Sequence, residues 1–143
     1  MKTRSLRGQF VEGTVKRLVV DDGRLNVGYK VTSFVVAGEP AVAGNDCWAT
    51  LCLDYDAPQN WNWGDNRQIG WAATHITASS LDAPFTVVDP DHIVVRDLYI
   101  QGRVGASGGT STINYLITLE QVELSDDEAV LALIKERSQD DWR

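Results

Sequence analysis

The sequence predicts an all-β fold, an antiparallel β-sandwich or barrel of about seven to eight strands followed by one C-terminal α-helix. Segments rich in β-branched and aromatic residues alternate with turn-forming residues. No helical pattern separates the strands, as a parallel sheet would require. A content of 43% hydrophobic and 23% charged residues is typical of a single globular domain, which we expect to span residues 1–143.

The N-terminal region is predicted to contain a flexible arm over residues 1–8 and then a hairpin. Gln9 to Val20 alternates loosely, and Asp21-Asp22-Gly23 favours a tight turn into a second strand that bends or bulges near Gly28. A basic cluster lies in and after the arm, and two interpretations are open, a solvated arm or a contact to an acidic partner. Its members are Lys2, Arg4, Arg7, Lys16 and Arg17.

A third strand is predicted from Cys47 to Tyr55, with Cys47, Ala49, Leu51 and Leu53 on one face. Cys47 and Cys52 are separated by an odd number of positions, so they face opposite sides and are not expected to pair. Two unpaired structural thiols fit a reducing compartment.

The loop from Asp56 to Asn66 has the most function-like composition in the chain, because it carries Trp61, Asn62 and Trp63. Three interpretations remain open. The rings plug one open end of the fold, anchor a protein interface, or provide a flat platform for a ligand. We predict further strands from Arg67 to Thr77 and from Phe85 to Val88.

The two longest predicted strands lie between His92 and Leu124. The segment from Gly102 to Ser111 contains four glycines and is predicted to be a flexible hairpin loop. The two strands are therefore expected to be the central antiparallel pair of the fold.

A helix is predicted to follow, with Ser125 as N-cap and Glu128 completing a capping box. It is expected to end at about Ser138 and to be followed by a polar tail. Trp142 in that tail is predicted to pack against the strands or insert into a neighbouring subunit.

The residues that could serve as catalytic groups or metal ligands are predicted to have structural roles. His75 shares its strand face with apolar residues and is expected to be a hydrogen-bonded core or sheet residue. Asp89, Asp91 and His92 are close enough in sequence for a metal site, but a turn in which the aspartates accept backbone N–H bonds is favoured. Four residues in the loop before Arg67 could supply oxygen ligands for calcium, but their spacing is not that of an EF-hand loop. They are Asn60, Asn62, Asp65 and Asn66. No catalytic motif is present, and we predict neither an enzyme nor a cofactor or metal.

The formal net charge of −7 disfavours direct nucleic-acid binding, because an acidic surface repels phosphate backbones. No apolar run is long enough to span a membrane, and the N-terminus lacks a signal-peptide core. We therefore expect a cytosolic protein with no membrane partner.

Several segments resemble small structural proteins of marine and environmental bacteriophages. The likeness rests on Val88 to Ile100, Ile113 to Ile117, Leu124 to Gln139, Gly23-Arg24 and Asn66 to Trp71. It implies a jelly-roll-like β-sandwich that is a virion component assembled in the host cytoplasm. Such a protein would self-associate as a homo-oligomer and dock on other virion proteins of the capsid, portal or tail. The alternative is a carbohydrate- or receptor-binding module that uses the Trp61 and Trp63 loop, with a glycan as partner.

Overall fold

The computed structural model contains eight β-strands, and all the pairings between them are antiparallel. It describes residues 2–21, 23, 26–39, 46–56, 60–75, 84–89, 91–105, 112–125, 127, 128, 131 and 134. The strands are β1 (Thr3–Val11), β2 (Lys16–Val19), β3 (Val27–Gly38), β4 (Cys47–Cys52), β5 (Gln68–Thr74), β6 (Phe85–Val88), β7 (Asp97–Val104) and β8 (Thr112–Glu123). The prediction of an all-β antiparallel fold is confirmed.

The strands form two sheets, one of three strands in the order β1-β8-β3 and one of five strands in the order β2-β7-β4-β5-β6. Both sheets contribute to one hydrophobic cluster, for example through Phe34 and Ile117 from the first and Leu51 and Ile100 from the second. All four of these side chains are fully buried. The alternation of apolar residues along each strand supplies this shared core.

The outer edge of β3 is closed by contacts from β5, from β6 and from the segment that precedes β7. Tyr29 and Val94 exchange two backbone hydrogen bonds, with N···O distances of 2.9 and 2.8 Å. Further along, the Thr86 hydroxyl donates to the Phe34 carbonyl oxygen at 2.6 Å, and the Thr74 hydroxyl donates to the Val36 carbonyl oxygen. These bonds satisfy carbonyl groups that β3 turns away from β8.

The hairpin predicted between the strands on either side of Gly102 to Ser111 is wrong, and these are not the two longest strands, because β3 and β8 have 12 residues each and β7 has 8. β7 pairs with β2 and β4, whereas β8 pairs with β1 and β3 in the other sheet. The connection after Val104 therefore crosses between sheets; residues 106–111 lie outside the described part of the chain. Alternation identifies which face of a strand is buried, but it does not identify the partner, and both strands bury one face in the same cluster.

The N-terminal predictions also need correction. Thr3 to Gly8, expected in a flexible arm, belong to β1, which pairs with β8 from Thr3↔Glu120 to Val11↔Thr112. Leu6 and Phe10 alternate with polar residues and pack in or against the hydrophobic cluster, and this anchors the strand. The predicted hairpin across Asp21 is wrong as well, because β2 pairs with β7 and β3 with β8.

The local turn after β2 forms nevertheless. The Asp21 carboxylate accepts the Gly23 N–H at 2.8 Å, and Gly23 has a φ of 87°. The predicted irregularity in the next strand is present, but it lies between Val31 and Ser33 instead of near Gly28. The local contact between Asp21 and Gly23 thus forms although β2 and β3 do not pair.

At the C-terminus, the predicted capping-box contacts are present. Glu128 N–H donates to the Ser125 hydroxyl at 3.2 Å, and Ser125 N–H donates to the Glu128 carboxylate at 3.4 Å. Most later residues, including Trp142, lie outside the described residues, so the helix to Ser138 stays a prediction. Within the residues described, no helix combines the length and apolar character needed to cross a membrane.

Candidate interaction surface on the five-stranded sheet

The outer face of the five-stranded sheet, which faces away from the hydrophobic cluster, is rich in large apolar side chains. The register places Trp48 of β4 opposite Ala73 of β5, and Ala73 opposite Phe85 of β6. Two residues along, Trp71 of β5 lies opposite Val87 of β6. Residues in register share a face, so these side chains form neighbouring rows.

The loop between β4 and β5 adds two more rings to this face. Trp61 meets Trp48 edge to face, with ring centroids 6.4 Å apart, and stacks on Phe85 at 5.5 Å and an interplanar angle of 27°. Trp63 packs on Trp71 at 5.7 Å. We call this set the aromatic surface; its members are Trp48, Trp61, Trp63, Trp71, Phe85 and Val87.

Gln68, at the start of β5, ties the loop to the sheet. Its buried side-chain oxygen accepts the Asn62 N–H and the Trp71 indole N–H, each at 2.9 Å, and its amide nitrogen donates to the Asn60 carbonyl at 2.8 Å. All three bonds are made by one side chain that is 2% exposed. A buried amide with several partners fixes the positions of the groups it joins.

A buried ion pair closes the same loop. The Arg67 guanidinium donates to Asp65 through two bonds, Nε to Oδ1 at 2.9 Å and a terminal nitrogen to Oδ2 at 2.7 Å, and its other terminal nitrogen lies 3.6 Å from Asp54. The Arg67 guanidinium beside it lowers the pKa of the Asp65 carboxyl. Asp65 in turn raises the pKa of Arg67. Such two-pronged pairing orients both side chains.

These contacts show where the tryptophans of the loop lie. Trp61 is partly buried on the outer face of the sheet, whereas Trp63 is 64% exposed. Phe85 and Val87 are 44% and 38% exposed. The rings therefore cover an outer face and do not plug an end of the fold, and part of their area remains open to solvent.

Two cavities adjoin Trp48. One of about 300 Å³ is lined by Trp48, Asn60 and Trp61. The lining of the second, of about 410 Å³, includes Trp48 and Phe85 together with Asp46 and His75. The Trp61 indole N–H is buried and has no hydrogen-bond partner among the residues described. Flat rings beside carboxylate, imidazole and amide groups create a site with both apolar and polar contacts.

The two histidines lie apart from each other and from the centre of either sheet. His75 follows the end of β5, and its side chain is 57% exposed with Nδ1 2.9 Å from the Asp46 carboxylate, so the core or sheet placement predicted for it is wrong. His92 Nε2 lies 3.4 Å from Asp89, whose other oxygen accepts the Asp91 N–H at 3.0 Å. The predicted turn at Asp89 is confirmed.

Two of the four side chains considered as calcium ligands have protein partners. Asp65 is paired with Arg67, and the Asn62 side-chain oxygen accepts the Gly64 N–H at 3.0 Å. Across the described ranges, no group of three or more histidine, cysteine, aspartate or glutamate side chains is arranged to hold a metal ion.

Both cysteines are buried free thiols on opposite faces of β4, as predicted. Burial raises the pKa of Cys47 to about 11 and that of Cys52 to about 12. Raised pKa values keep both thiols protonated near neutral pH and suppress their nucleophilicity.

The sequence indicated Trp61 and Trp63 but missed Trp48, Phe85 and Gln68. The alternation that places Trp48 on the polar face of its strand, with Thr50 and Asp54, was a signal for the missed surface. Fold and site together define an all-β protein with a partly exposed aromatic surface on its five-stranded sheet. No protein-family model, curated protein or solved structure matches this chain.

Proposed function

We propose that this protein is a non-enzymatic virion component that self-associates and docks on other virion proteins, assembled in the host cytoplasm. The resemblance of its sequence segments to phage structural proteins supports the virion assignment. We further propose that the two sheets pack face to face as a jelly-roll-like sandwich. Their shared hydrophobic cluster and the Thr86 to Phe34 hydrogen bond between sheets support this packing.

The aromatic surface is the observation that carries the docking function. Trp63 and Phe85 combine exposures of 64% and 44% with ring contacts that hold them in place, and Val87 on the same face is 38% exposed. Aromatic side chains that are rigid before binding contribute large contact area at a low entropic cost, and they are enriched at interface anchors. A contiguous exposed apolar patch of this kind is typical of an interaction site.

The test measures mass in solution, with and without co-expressed products of neighbouring genes. We expect an oligomer or a co-assembled particle. The double variant Trp63→Ala/Phe85→Ala should lose this assembly while remaining folded. Leu116→Ala is the matched control, because Leu116 is also 44% exposed but lies on β8 in the other sheet. A strict monomer that joins no particle would contradict the proposal.

A second candidate function, carbohydrate binding, is favoured by the cavities beside Trp48. Sugar rings stack on indole faces and hydrogen-bond to carboxylate, imidazole and amide groups, and Trp48, Asp46 and His75 supply these groups along one lining. The unpartnered Trp61 indole N–H offers a further donor beside the neighbouring cavity.

A glycan screen separates the two candidates. If the cavities beside Trp48 bind sugar, Trp61→Ala should abolish binding and Trp63→Ala should preserve it, because Trp61 lines one of these two cavities and Trp63 lines neither. Full assembly of a Trp61→Ala variant that has lost sugar binding would favour the carbohydrate function. Absence of binding to any glycan on the array would remove it.

A further inference from the structure

Among the residues that the structure describes, the backbone of β1 pairs with β8 on one side and has no strand partner on the other. The Lys2 carbonyl accepts from Gln121 on β8, whereas the Gln9 carbonyl accepts from the Lys16 ammonium at 3.0 Å, away from β8. Backbone groups of an edge strand alternate in direction with period two. Hence Thr3, Ser5 and Arg7, which share the parity of Gln9, direct their N–H and C=O groups away from β8.

The outward carbonyls at the end of this edge, those of Gln9 and Val11, already have donors. Thr14 donates its N–H and its hydroxyl to the Val11 carbonyl, at 3.2 and 2.6 Å. Among the described strands, β1 pairs only with β8, and Thr3, Ser5 and Arg7 are exposed. The open part of the edge is therefore the stretch from Thr3 to Arg7.

The charge around this stretch selects the partner. β1 contains Arg4 and Arg7 and no acidic residue, Lys2 precedes it, and Lys16 lies beside Gln9. Two copies of β1 placed edge to edge would bring these cations together, which disfavours a second copy of this chain as occupant. A strand with acidic side chains on the face of Arg7 would form cross-strand ion pairs instead.

We infer that the outer edge of β1 is a strand-addition site for an extended acidic segment of a partner protein. The added strand bonds to the backbone of Thr3, Ser5 and Arg7, and its acidic residues face Arg7. This inference deepens the docking function proposed above and rests on it for the assumption that the protein binds a partner. It does not depend on the aromatic surface, because the β1 edge and that surface belong to different sheets.

The probes are two capped peptides, Thr-Glu-Val-Glu-Val-Glu-Thr and its counterpart with lysine in place of glutamate. We expect the acidic peptide to bind, its affinity to fall as salt is raised, and the lysine peptide not to bind. Ser5→Pro removes an outward N–H and no bond to β8, so it should weaken binding roughly tenfold. Ser5→Ala, which retains the N–H, should bind like the wild type.

A second measurement covers the case in which Ser5→Pro does not fold. Addition of the acidic peptide to the wild type should slow amide hydrogen exchange at Thr3, Ser5 and Arg7 and leave Arg4 and Leu6 unchanged. Equal binding of both peptides, no binding, or equal binding by both Ser5 variants would overturn the inference. Peptide binding by the Trp63→Ala/Phe85→Ala variant distinguishes failure of the aromatic surface from failure of the edge.

Discussion

The Asp65 to Arg67 ion pair shows how one interaction sets the position of a loop. The Asp65 and Arg67 side chains are 4% and 11% exposed, so each depends on the other for its charge to be satisfied. Asp65 also accepts the Arg67 backbone N–H at 3.0 Å. The pair thus closes a short turn at the base of the loop that carries Trp61 and Trp63.

Asp65→Asn should destabilise the protein by about 3 kcal/mol, because it leaves a buried guanidinium with only the longer contact to Asp54. Denaturant titration at pH 7 measures the change. Asp91→Asn is the control, since that carboxylate is exposed. If Asp65→Asn loses no more unfolding free energy than Asp91→Asn, the structural role assigned to the Asp65 to Arg67 ion pair is contradicted.

The same pair predicts a pH dependence. The pKa of Asp65 is lowered in the fold from an ordinary value of 3.8, so its stabilising contribution is complete above that value and is lost as pH falls through the lower folded pKa. The stability difference between wild type and Asp65→Asn should therefore shrink below about pH 4. A difference independent of pH would be inconsistent with this assignment.

The two thiols should be inert in the folded protein. With pKa values of about 11 and 12, roughly one Cys47 in a thousand and fewer Cys52 are thiolates at pH 8. A thiol reagent should label neither cysteine under native conditions and both in guanidinium. Rapid native labelling of either would contradict the burial described.

At the scale of the strands, close approach of two backbones explains one glycine. Gly102 on β7 lies opposite Ala49 on β4, and a Cβ there would press on the Trp48 carbonyl oxygen and lie 3.0 Å from Ala49. Only glycine allows β7 and β4 to pair at this distance.

Gly102→Ala should cost about 2 kcal/mol in unfolding free energy, because the strands must separate to accept the methyl group. Thermal or denaturant unfolding measures this loss. Gly64→Ala is a matched control in the exposed loop, where a Cβ would be 3.3 Å from the Asn62 side-chain oxygen. Equal unfolding free energies of the two variants would show that the pairing of β4 and β7 accommodates a methyl group at position 102.

Strand positions followed from the sequence more readily than strand partners. The buried set of Cys47, Ala49 and Leu51 was predictable because alternation is a property of one strand. Pairing of β7 and β8 with different strands was not, because it depends on long-range packing that a turn-like composition does not record. The ring contacts of Trp61 could not be predicted for the same reason, because Trp48 and Phe85 lie on two other strands, β4 and β6.

Because both sheets contribute to one hydrophobic cluster, we expect the whole molecule to unfold in a single transition. The described tryptophans all lie on the outer face of the five-stranded sheet, so their fluorescence reports that sheet, while amide exchange in β1 and β8 reports the other. In a Trp142→Phe background, we expect both probes to give the same denaturation midpoint. Separate midpoints would show that the sheets unfold independently.

The hydrogen bonds that the Thr74 and Thr86 hydroxyls donate to carbonyl groups of β3 have a consequence for how far assembly can extend. They occupy carbonyls along one long margin of the three-stranded sheet, whereas the opposite margin, along β1, is open. Among the described strands, β1 therefore offers one long open margin, and the terminal strands of the other sheet, β2 and β6, have four residues each. We expect edge pairing through these strands to add a single partner strand, a limit that disfavours the unlimited stacking that leads to fibrils.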